Sequence, residues 1–232
     1  LDFLIEHSGG RRNLEVDFFG GEPTMNFEVV KQLVAYGRQR EKETGKNFRF
    51  TLTTNGVLLN DEILDFANKE MHNLVLSIDG RKEVNDRMRP MRGGQGTYDI
   101  IVPKFLHAAK LRGQTDYYVR GTYTHDNLDF SEDVKHLAEL GFEQISVEPV
   151  VAKSSESYAI REEDIRISRR IGGFGFELLE KIGKGVGIMT HCNAGTLATA
   201  KYGTALAPFF SPELYEEILL EPTKRFVEAV HA

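Results

Sequence analysis

Phe18-Phe19-Gly20-Gly21-Glu22-Pro23 closes a strand-like run, Leu14–Phe19, and opens a helix-like one. Two adjacent glycines at the end of a strand let a ligand approach the backbone closely, because no Cβ atom stands in the way. The carboxylate of the glutamate that follows can receive a cation such as an ammonium group. A bare Gly-Gly pair also fits an ordinary strand-to-helix turn, so the motifs that come after it decide the interpretation.

Two further polar motifs follow at the ends of the next two predicted strands. Thr53-Thr54-Asn55-Gly56 follows one strand and Ser77-Ile78-Asp79-Gly80 follows the next. In parallel α/β architectures, ligands bind at the carboxyl edge of the sheet. The pattern therefore predicts a single crevice at that edge. The residues expected around it are Gly20, Gly21, Glu22, Pro23, Asn55, Ser77, Asp79, Arg120 and Glu148.

Strand and helix patterns alternate over the first two thirds of the chain. The predicted strands are Leu14–Phe19, Phe48–Thr53, Asn73–Ile78, Thr115–Thr122 and Gln144–Val150. Apolar residues recur at helical spacing between them, within Phe27–Val34, Ile63–Ala67 after Asn60 as N-cap, Tyr98–Leu111 and Phe130–Leu140. Repeated βα units imply an α/β fold with parallel strands. Five strands are too few for a closed eight-stranded barrel, so we expect an incomplete, partial barrel or a doubly wound sheet.

The composition is that of an ordinary globular protein. The 232 residues are enough for one large domain or two small ones, and 41% of them are hydrophobic. The net charge of −6 and the scattered lysines and arginines argue against nucleic acid as a partner. No apolar run approaches the roughly 18 residues of a membrane span. The start, Leu1–Ile5, resembles the middle of a helix rather than a signal peptide.

Cys192 is the single cysteine of the sequence. One cysteine makes no intramolecular disulfide and fits a reducing compartment, so we expect a cytoplasmic protein. It also cannot hold an iron–sulfur cluster, which needs several thiolates. His72 and His125 have no second ligand at metal spacing and are expected on the surface or in loops. The sequence therefore predicts no metal site.

From Leu1 to about Asp164 the chain resembles one branch of the radical S-adenosylmethionine (radical SAM) superfamily. This branch comprises the maturases that install thioether cross-links in six-cysteine (SCIFF) peptides. The stretches that carry the resemblance are Asn13–Pro23, Phe48–Asn60, Asp79–Lys82, Asp86–Pro90, Tyr118–Tyr123 and Ile145–Val150. Asp86–Pro90 is equally compatible with a charged helix end.

The resemblance implies a role for each residue of the crevice. Gly20, Gly21 and Glu22 correspond to the segment that holds the amino group of the methionine part of S-adenosylmethionine. Ser77 and Arg120 correspond to contacts with its ribose and carboxylate, and Asn55 lines the same pocket. The chemistry agrees, because a zwitterion needs an acceptor for its ammonium group and a donor such as arginine for its carboxylate. Pro23 and Asp79 complete the expected cofactor-binding set.

The family also implies a 4Fe-4S cluster and a cysteine-rich precursor peptide as partner. Its Cys-x3-Cys-x2-Cys loop and its downstream cysteine-rich domain are absent from these 232 residues. Because the cofactor carries the hard chemistry and the protein positions it, we expect a truncated core that is inactive alone.

A second resemblance begins at about Glu162. Ile167–Gly172 and Gly187–Ala205 are similar to methylthioribose-1-phosphate isomerase, in which the cysteine of Cys-Asn-Ala-Gly is catalytic; here it is Cys192. A nearby helix N-terminus could lower the pKa of such a thiol. The alternative is a structural turn with an inert thiol, since an isolated nucleophile lacks its acid or base partner. His191 is expected to point away from Cys192, because neighbours on a strand face opposite sides.

A third resemblance covers the end of the chain. Phe209–Ala232 is similar to a helix of the uroporphyrinogen decarboxylase-like family. Three resemblances in sequence suggest a chimera with segments 1–161, 162–208 and 209–232. Glu162–Asp164, at the first join, is expected to be a solvated helix start. The functional alternatives are a truncated radical SAM core, a non-catalytic fragment that binds S-adenosylmethionine or peptide, and a sugar-phosphate isomerase-like fragment around Cys192.

Overall fold

Strands and helices alternate along the part of the chain that the computed structural model describes, residues 1–164. The strands are β1 Asn13–Phe18, β2 Asn47–Thr54, β3 Met71–Ser77, β4 Tyr117–Tyr123 and β5 Ile145–Pro149. The α-helices are α1 Asp2–His7, α2 Phe27–Thr44, α3 Asp61–Glu70, α4 Lys82–Met88, α5 Tyr98–Leu111 and α6 Phe130–Glu139. Short 3₁₀ turns occupy Pro23–Asn26, His125–Asn127 and Glu162–Asp164. All five predicted strands are confirmed within two residues at either end.

The strands form one parallel sheet in the order β1-β2-β3-β4-β5, a half-barrel. Each strand therefore lies beside its neighbour in the chain, with Ser77 of β3 paired to Arg120 of β4. A doubly wound sheet reverses its strand order at a switch point, and this order does not reverse. The partial barrel is confirmed and the doubly wound alternative is wrong.

The two faces of the sheet differ in chemistry. On β2, Phe48, Phe50 and Leu52 lie in the hydrophobic core with residues of the surrounding helices. Residues at the alternating positions face the other, concave side, and on β1 and β2 they include Asp17, Arg49 and Thr53. A closed barrel fills this side with branched apolar residues. Here polar side chains line it instead, which suits a surface that contacts a polar ligand.

A local signal explains where α3 begins. The side chain of Asn60 caps α3 by accepting from Ile63 N at 2.9 Å, as predicted. The Tyr98–Leu111 helix is confirmed at both ends. Leu33 is 39% exposed although its spacing places it with the apolar residues of α2. The short helix α4, Lys82–Met88, is not among the predicted helices because only Val84 and Asn85 of it are buried.

The chain divides into two compact units. The first comprises Leu1–Gly121 and Ser131–Ser146, and the second comprises Thr122–Phe130 and the chain from Val147 onward. The first contains the hydrophobic core of the sheet and its helices. The predicted segment boundaries at residues 161 and 208 stay predictions.

The second unit is held by contacts between its two described segments. Val150 N donates to Tyr123 O at 2.8 Å, and His125 Nδ1 lies 2.9 Å from Asp164 Oδ2. Asp164 is 3% exposed, so the expectation of a solvated helix start is wrong for this residue. The reason is the buried contact with His125, which sequence spacing does not reveal. His125 itself lies on a short 3₁₀ turn and is partly buried by this contact.

Some expectations fall on residues that the structure does not describe. Cys192 and His191, the rest of the isomerase-like segment and the predicted terminal helix lie outside residues 1–164. Within the described residues, no helix is both long enough and apolar enough to span a membrane. His72 is exposed on β3, as expected for a surface residue.

Gly56 tests how tightly this fold is packed. Its φ is +76°, and a Cβ atom there would lie 2.1 Å from the buried ring of Phe105. Gly45, which ends α2, has a similar φ of +70° but open space around it. We predict that Gly56→Ala lowers the free energy of unfolding by more than about 3 kcal/mol, and Gly45→Ala by about 1 kcal/mol. Urea denaturation of both variants measures the difference, and equal losses would show that packing against Phe105 is loose.

Candidate functional site

The Gly20-Gly21 turn places a carboxylate at the carboxyl end of β1. Gly20 and Gly21 have φ values of +93° and +57°, in the left-handed region that favours glycine. No atom lies within 4 Å of where their Cβ atoms would stand, so backbone conformation and not crowding requires glycine here. Glu22 returns to an extended conformation and caps the 3₁₀ turn that starts at Pro23. The sequence thus aims the Glu22 side chain back across the sheet edge.

The Glu22 carboxylate joins the ends of β1 and β2. Its Oε1 accepts from Thr24 N at 3.1 Å, Thr24 Oγ1 at 2.6 Å and Thr54 Oγ1 at 2.8 Å. Its Oε2 accepts from Asn55 N at 2.7 Å. Among the described residues, no lysine, arginine or histidine forms an ion pair with it. Neutral donors therefore hold a charged carboxylate in a fixed place, which suits a ligand that brings its own cation.

Asn55 lies beside this carboxylate and is partly exposed. Its Oδ1 accepts from Val57 N at 3.0 Å, which closes a local turn and fixes the side chain. Because the oxygen is engaged, the amide NH₂ is the group that Asn55 offers to a ligand. The predicted neighbours Glu22 and Asn55 are thus brought together by a direct hydrogen bond.

A pocket of about 470 Å³ opens next to Glu22 and Asn55. Its apolar wall consists of Met25, Val57, Leu58, Pro90 and Met91. Its polar groups come from Glu22, Asn55, Arg89, Arg92 and Thr97. An apolar concavity with a few fixed polar groups is the usual form of a ligand site.

Asp79 is engaged by an arginine that is not among the predicted site residues. Arg89 Nε and Nη2 donate to the two carboxylate oxygens of Asp79 at 2.8 and 2.9 Å. Asp79 is 3% exposed whereas the Arg89 side chain is 31% exposed, so the carboxylate end of this bidentate pair is buried. Arg89 also lines the pocket. The carboxylate of Asp79 thus orients Arg89, and the charged run Asp86–Pro90 was the signal in the sequence.

A second buried acid fixes the other side of the same loop. Asp133 on α6 is fully buried and accepts from Arg81 N at 3.0 Å and Arg81 Nε at 2.8 Å. A Cβ atom on Gly80 would lie 2.3 Å from the Asp133 side chain. Gly80, with φ of +128°, is therefore required for the close approach. Together the two acids clamp the Asp79-Gly80-Arg81 segment that ends β3.

Ser77 and Arg120 lie next to each other on β3 and β4, as register partners. The guanidinium carbon of Arg120 lies 5.7 Å from the centre of the Phe19 ring, a cation–π contact that directs Arg120 toward the end of β1. Phe19 is 65% exposed. Glu148, on β5, is buried and belongs to the second unit.

Asp17 is an acid on the concave face that is not among the predicted site residues. Its oxygens accept from Thr53 Oγ1 at 3.0 and 3.3 Å. The residue as a whole is exposed, but partial burial of the carboxylate against Thr53 raises the pKa of Asp17 above its ordinary value, while the Thr53 hydroxyl and the charge of Arg120 oppose the rise. The alternation of β1 was the signal that it faces the concave side.

Residues 1–102 match a family described as a 4Fe-4S single cluster domain. This stretch contains no cysteine. The match therefore concerns the scaffold rather than cluster-ligating thiolates.

Two curated proteins are similar to different shares of the chain. A methylthioribose-1-phosphate isomerase of Symbiobacterium thermophilum is 58% identical over 59 residues, which is 25% of this chain and 16% of that protein. An uncharacterised protein of Methanocaldococcus jannaschii is 26% identical over 179 residues, which is 75% of this chain and 59% of that protein. The chain thus spans less than two thirds of either relative.

Solved structures share the fold at low sequence identity. Native anSMEcpe with bound AdoMet and the Kp18Cys peptide superposes with a TM-score of 0.64 at 19% identity, over 76% of this chain and 52% of that chain. Streptococcus suis SuiB bound to S-adenosylmethionine gives a TM-score of 0.51 at 17% identity, over 88% of this chain and 43% of that chain. At this identity the likeness concerns the fold, the half-barrel described above.

Removing Arg89 tests the loop clamp. Arg89→Ala leaves the carboxylate of Asp79 buried without its bidentate partner, and we predict a loss of about 3 kcal/mol in the free energy of unfolding. The double variant Asp79→Asn with Arg89→Ala should recover part of this loss. Arg92→Ala, at an exposed neighbouring position, should change it by less than about 0.5 kcal/mol. Urea denaturation measures all three, and an Arg89→Ala loss as small as that of Arg92→Ala contradicts the prediction.

Asp17 gives a pH-dependent prediction. Because the folded protein raises the pKa of this acid, its ionised form costs stability at neutral pH. We predict that Asp17→Asn raises the free energy of unfolding at neutral pH by up to about 0.5 kcal/mol, a small gain since water screens the exposed residue. The penalty fades as pH falls through the raised pKa and is gone below the unfolded value near 3.8. Thermal unfolding at several pH values checks this, with Asp65→Asn on the exposed side of α3 as control. The prediction is contradicted if the difference in free energy of unfolding between Asp17→Asn and the parent chain grows as the pH falls.

Proposed function

We propose that residues 1–161 form the S-adenosylmethionine-binding core of a radical SAM peptide maturase, of the type that forms thioether cross-links in cysteine-rich peptides. The observation that carries the proposal is the Glu22 carboxylate, fixed by four neutral hydrogen-bond donors at the sheet edge. The sequence resemblance and the fold shared with AdoMet-bound anSMEcpe and SuiB support it.

The resemblance implies a role for each site residue, and the chemistry of the residues agrees with it. Glu22 accepts the ammonium group of S-adenosylmethionine, while Gly20 and Gly21 let the methionine end approach the backbone. Arg120 turns from the Phe19 ring to pair with the carboxylate, because a guanidinium group matches a carboxylate with two parallel N–H donors.

The remaining residues shape the cradle. Ser77, the register partner of Arg120, donates to the ribose, and Asn55 offers its amide NH₂. Pro23 begins the 3₁₀ turn that Glu22 caps. Asp79 acts through Arg89, which it holds at the pocket wall.

In the intact family, a reduced 4Fe-4S cluster would give one electron to bound S-adenosylmethionine, which would release methionine and supply radical chemistry toward a hydrogen of the precursor peptide. The donor set of this chain does not fit a 4Fe-4S cluster. The described residues contain no group of three or more His, Cys, Asp or Glu side chains arranged for a metal ion, and the whole sequence has one cysteine. We therefore propose that these 232 residues do not cleave S-adenosylmethionine alone.

A second candidate function concerns the region around Cys192. The 58% identity to an isomerase over 59 residues favours an isomerase-like segment. Isomerase turnover on methylthioribose 1-phosphate that disappears in Cys192→Ser would support this candidate. No turnover in the parent chain, or equal turnover in the variant, would eliminate it.

Calorimetric titration of the chain with S-adenosylmethionine tests the main proposal. We expect saturable binding that Glu22→Gln weakens about tenfold, because the ammonium group loses its charged acceptor. Glu6→Gln removes the same charge at an exposed position of α1 and should leave binding unchanged. No binding to the parent chain, or equal binding to Glu22→Gln, contradicts the proposal.

Iron reconstitution tests the inactivity of the chain separately. We expect iron uptake no higher than that of Cys192→Ser, since one thiolate does not hold a 4Fe-4S cluster. Stoichiometric uptake of four irons would contradict the proposed inactivity and leave the S-adenosylmethionine cradle untouched.

A further inference from the structure

The pocket beside Glu22 has an apolar wall that is open to solvent. Met25 is 75% exposed and Leu58 is 47% exposed, and both line the pocket with Met91. Large apolar side chains left exposed beside a concavity mark a surface that a ligand or partner covers. None of these side chains has a role in the proposed contacts with S-adenosylmethionine.

When each charged side chain around this pocket is matched with its partner, one arginine is left without an opposite charge in the described part of the chain. Asp79, which is buried, neutralises Arg89 through a bidentate pair. Under the proposed function, the ammonium group of S-adenosylmethionine neutralises Glu22. Arg92 is exposed, and no acceptor among residues 1–164 contacts its side chain. One positive charge is therefore left on the rim of the pocket.

The segment that carries Arg92 is held in a fixed turn. Met91 N donates to Gln95 O, and Gly94 N donates to Met91 O, both at 2.8 Å. Thr97 Oγ1 donates to Arg89 O at 2.8 Å and ties the two ends of the segment together. Such a turn loses little further backbone freedom when a ligand binds, so the backbone of Met91 and Arg92 is held beside the pocket.

From this arrangement we infer that the pocket binds an acidic segment of the peptide substrate. Arg92 pairs with an aspartate or glutamate carboxylate, and an aliphatic side chain next to that acid packs on Met25 and Leu58. A nucleic acid fits poorly, because the Glu22 carboxylate repels phosphate and the chain carries a net charge of −6.

The inference rests on the proposed function and adds a coupling to it. Without S-adenosylmethionine, the charge of Glu22 opposes that of Arg92 toward an incoming carboxylate. With the cofactor bound, its ammonium group cancels the charge of Glu22, so the acidic peptide binds more tightly. Because such coupling is reciprocal, the peptide also tightens the binding of S-adenosylmethionine.

Two matched peptides test the pocket on the full chain. The probes are acetyl-Gly-Leu-Glu-Leu-Gly-amide and its twin with glutamine in place of glutamate, titrated by calorimetry with and without S-adenosylmethionine. We expect the glutamate peptide to bind about fivefold more tightly than its twin with the cofactor present, as for a partly exposed ion pair. Arg92→Gln should abolish this preference. Arg12 is exposed just before β1, at the opposite edge of the sheet. The control variant Arg12→Gln should therefore keep the preference for the glutamate peptide.

The outcomes separate the two proposals. Normal binding of S-adenosylmethionine with no preference between the peptides, or a preference that survives in Arg92→Gln, overturns the acidic-peptide site. A preference that depends on Arg92 while S-adenosylmethionine does not bind supports the site and contradicts the proposed function. Displacement of the peptide by a short single-stranded DNA at equal concentration overturns the assignment of a peptide. Amide shifts of Leu58 and Met91 on titration with the glutamate peptide locate the binding.

Discussion

The hydrogen bonds of the Glu22 carboxylate are the interaction on which the functional edge depends. One side chain engages Thr24 on its own turn and Thr54 and Asn55 at the end of the next strand. It therefore closes the turn after β1 and aligns it with β2 at the same time. All four donors are neutral, so the site keeps its negative charge after its geometry is satisfied. This leaves a fixed anion at the carboxyl edge, which is what an ammonium ligand requires.

Elsewhere on this edge, buried acids are paired with arginines across the fold. Asp79 with Arg89 and Asp133 with Arg81 hold the segment that ends β3 from two sides. Such pairs add little net stability, because burying both charges costs free energy, but they fix orientation. The half-barrel leaves its concave face polar, and partial burial of the Asp17 carboxylate beside Thr53 raises its pKa, so its ionised form costs free energy. These charged groups therefore reduce the stability of the fold at the edge and the concave face, where a ligand is expected to bind.

The sequence predicts the elements whose signals are local. The five strands, the cap of Asn60 and the helix Tyr98–Leu111 come from alternation, capping chemistry and helical spacing. The sequence pattern does not distinguish a partial barrel from a doubly wound sheet, because hydrophobic periodicity does not reveal the order of the strands in the sheet. The structure supplies that order. Contacts between residues that are far apart in the sequence could not be predicted. Arg81 and Asp133 are 52 residues apart, and nothing in either local pattern points to the other.

The candidate site divides in the same way. Motifs at strand ends bring Glu22 and Asn55 to one pocket and make Ser77 and Arg120 neighbours. Arg89 was not predicted as a site residue because its role depends on Asp79, ten positions earlier, and on a short helix with little apolar signal. Asp164 was expected in solvent because its partner, His125, lies on a turn 39 residues earlier.

A crystal structure of the chain with S-adenosylmethionine would show whether the Glu22 carboxylate holds the ligand. We expect the methionine ammonium group to lie within hydrogen-bond distance of the Glu22 carboxylate and Arg120 to leave the Phe19 ring and pair with the methionine carboxylate. A ligand bound elsewhere, with Glu22 engaged only by Thr24, Thr54 and Asn55, would contradict it.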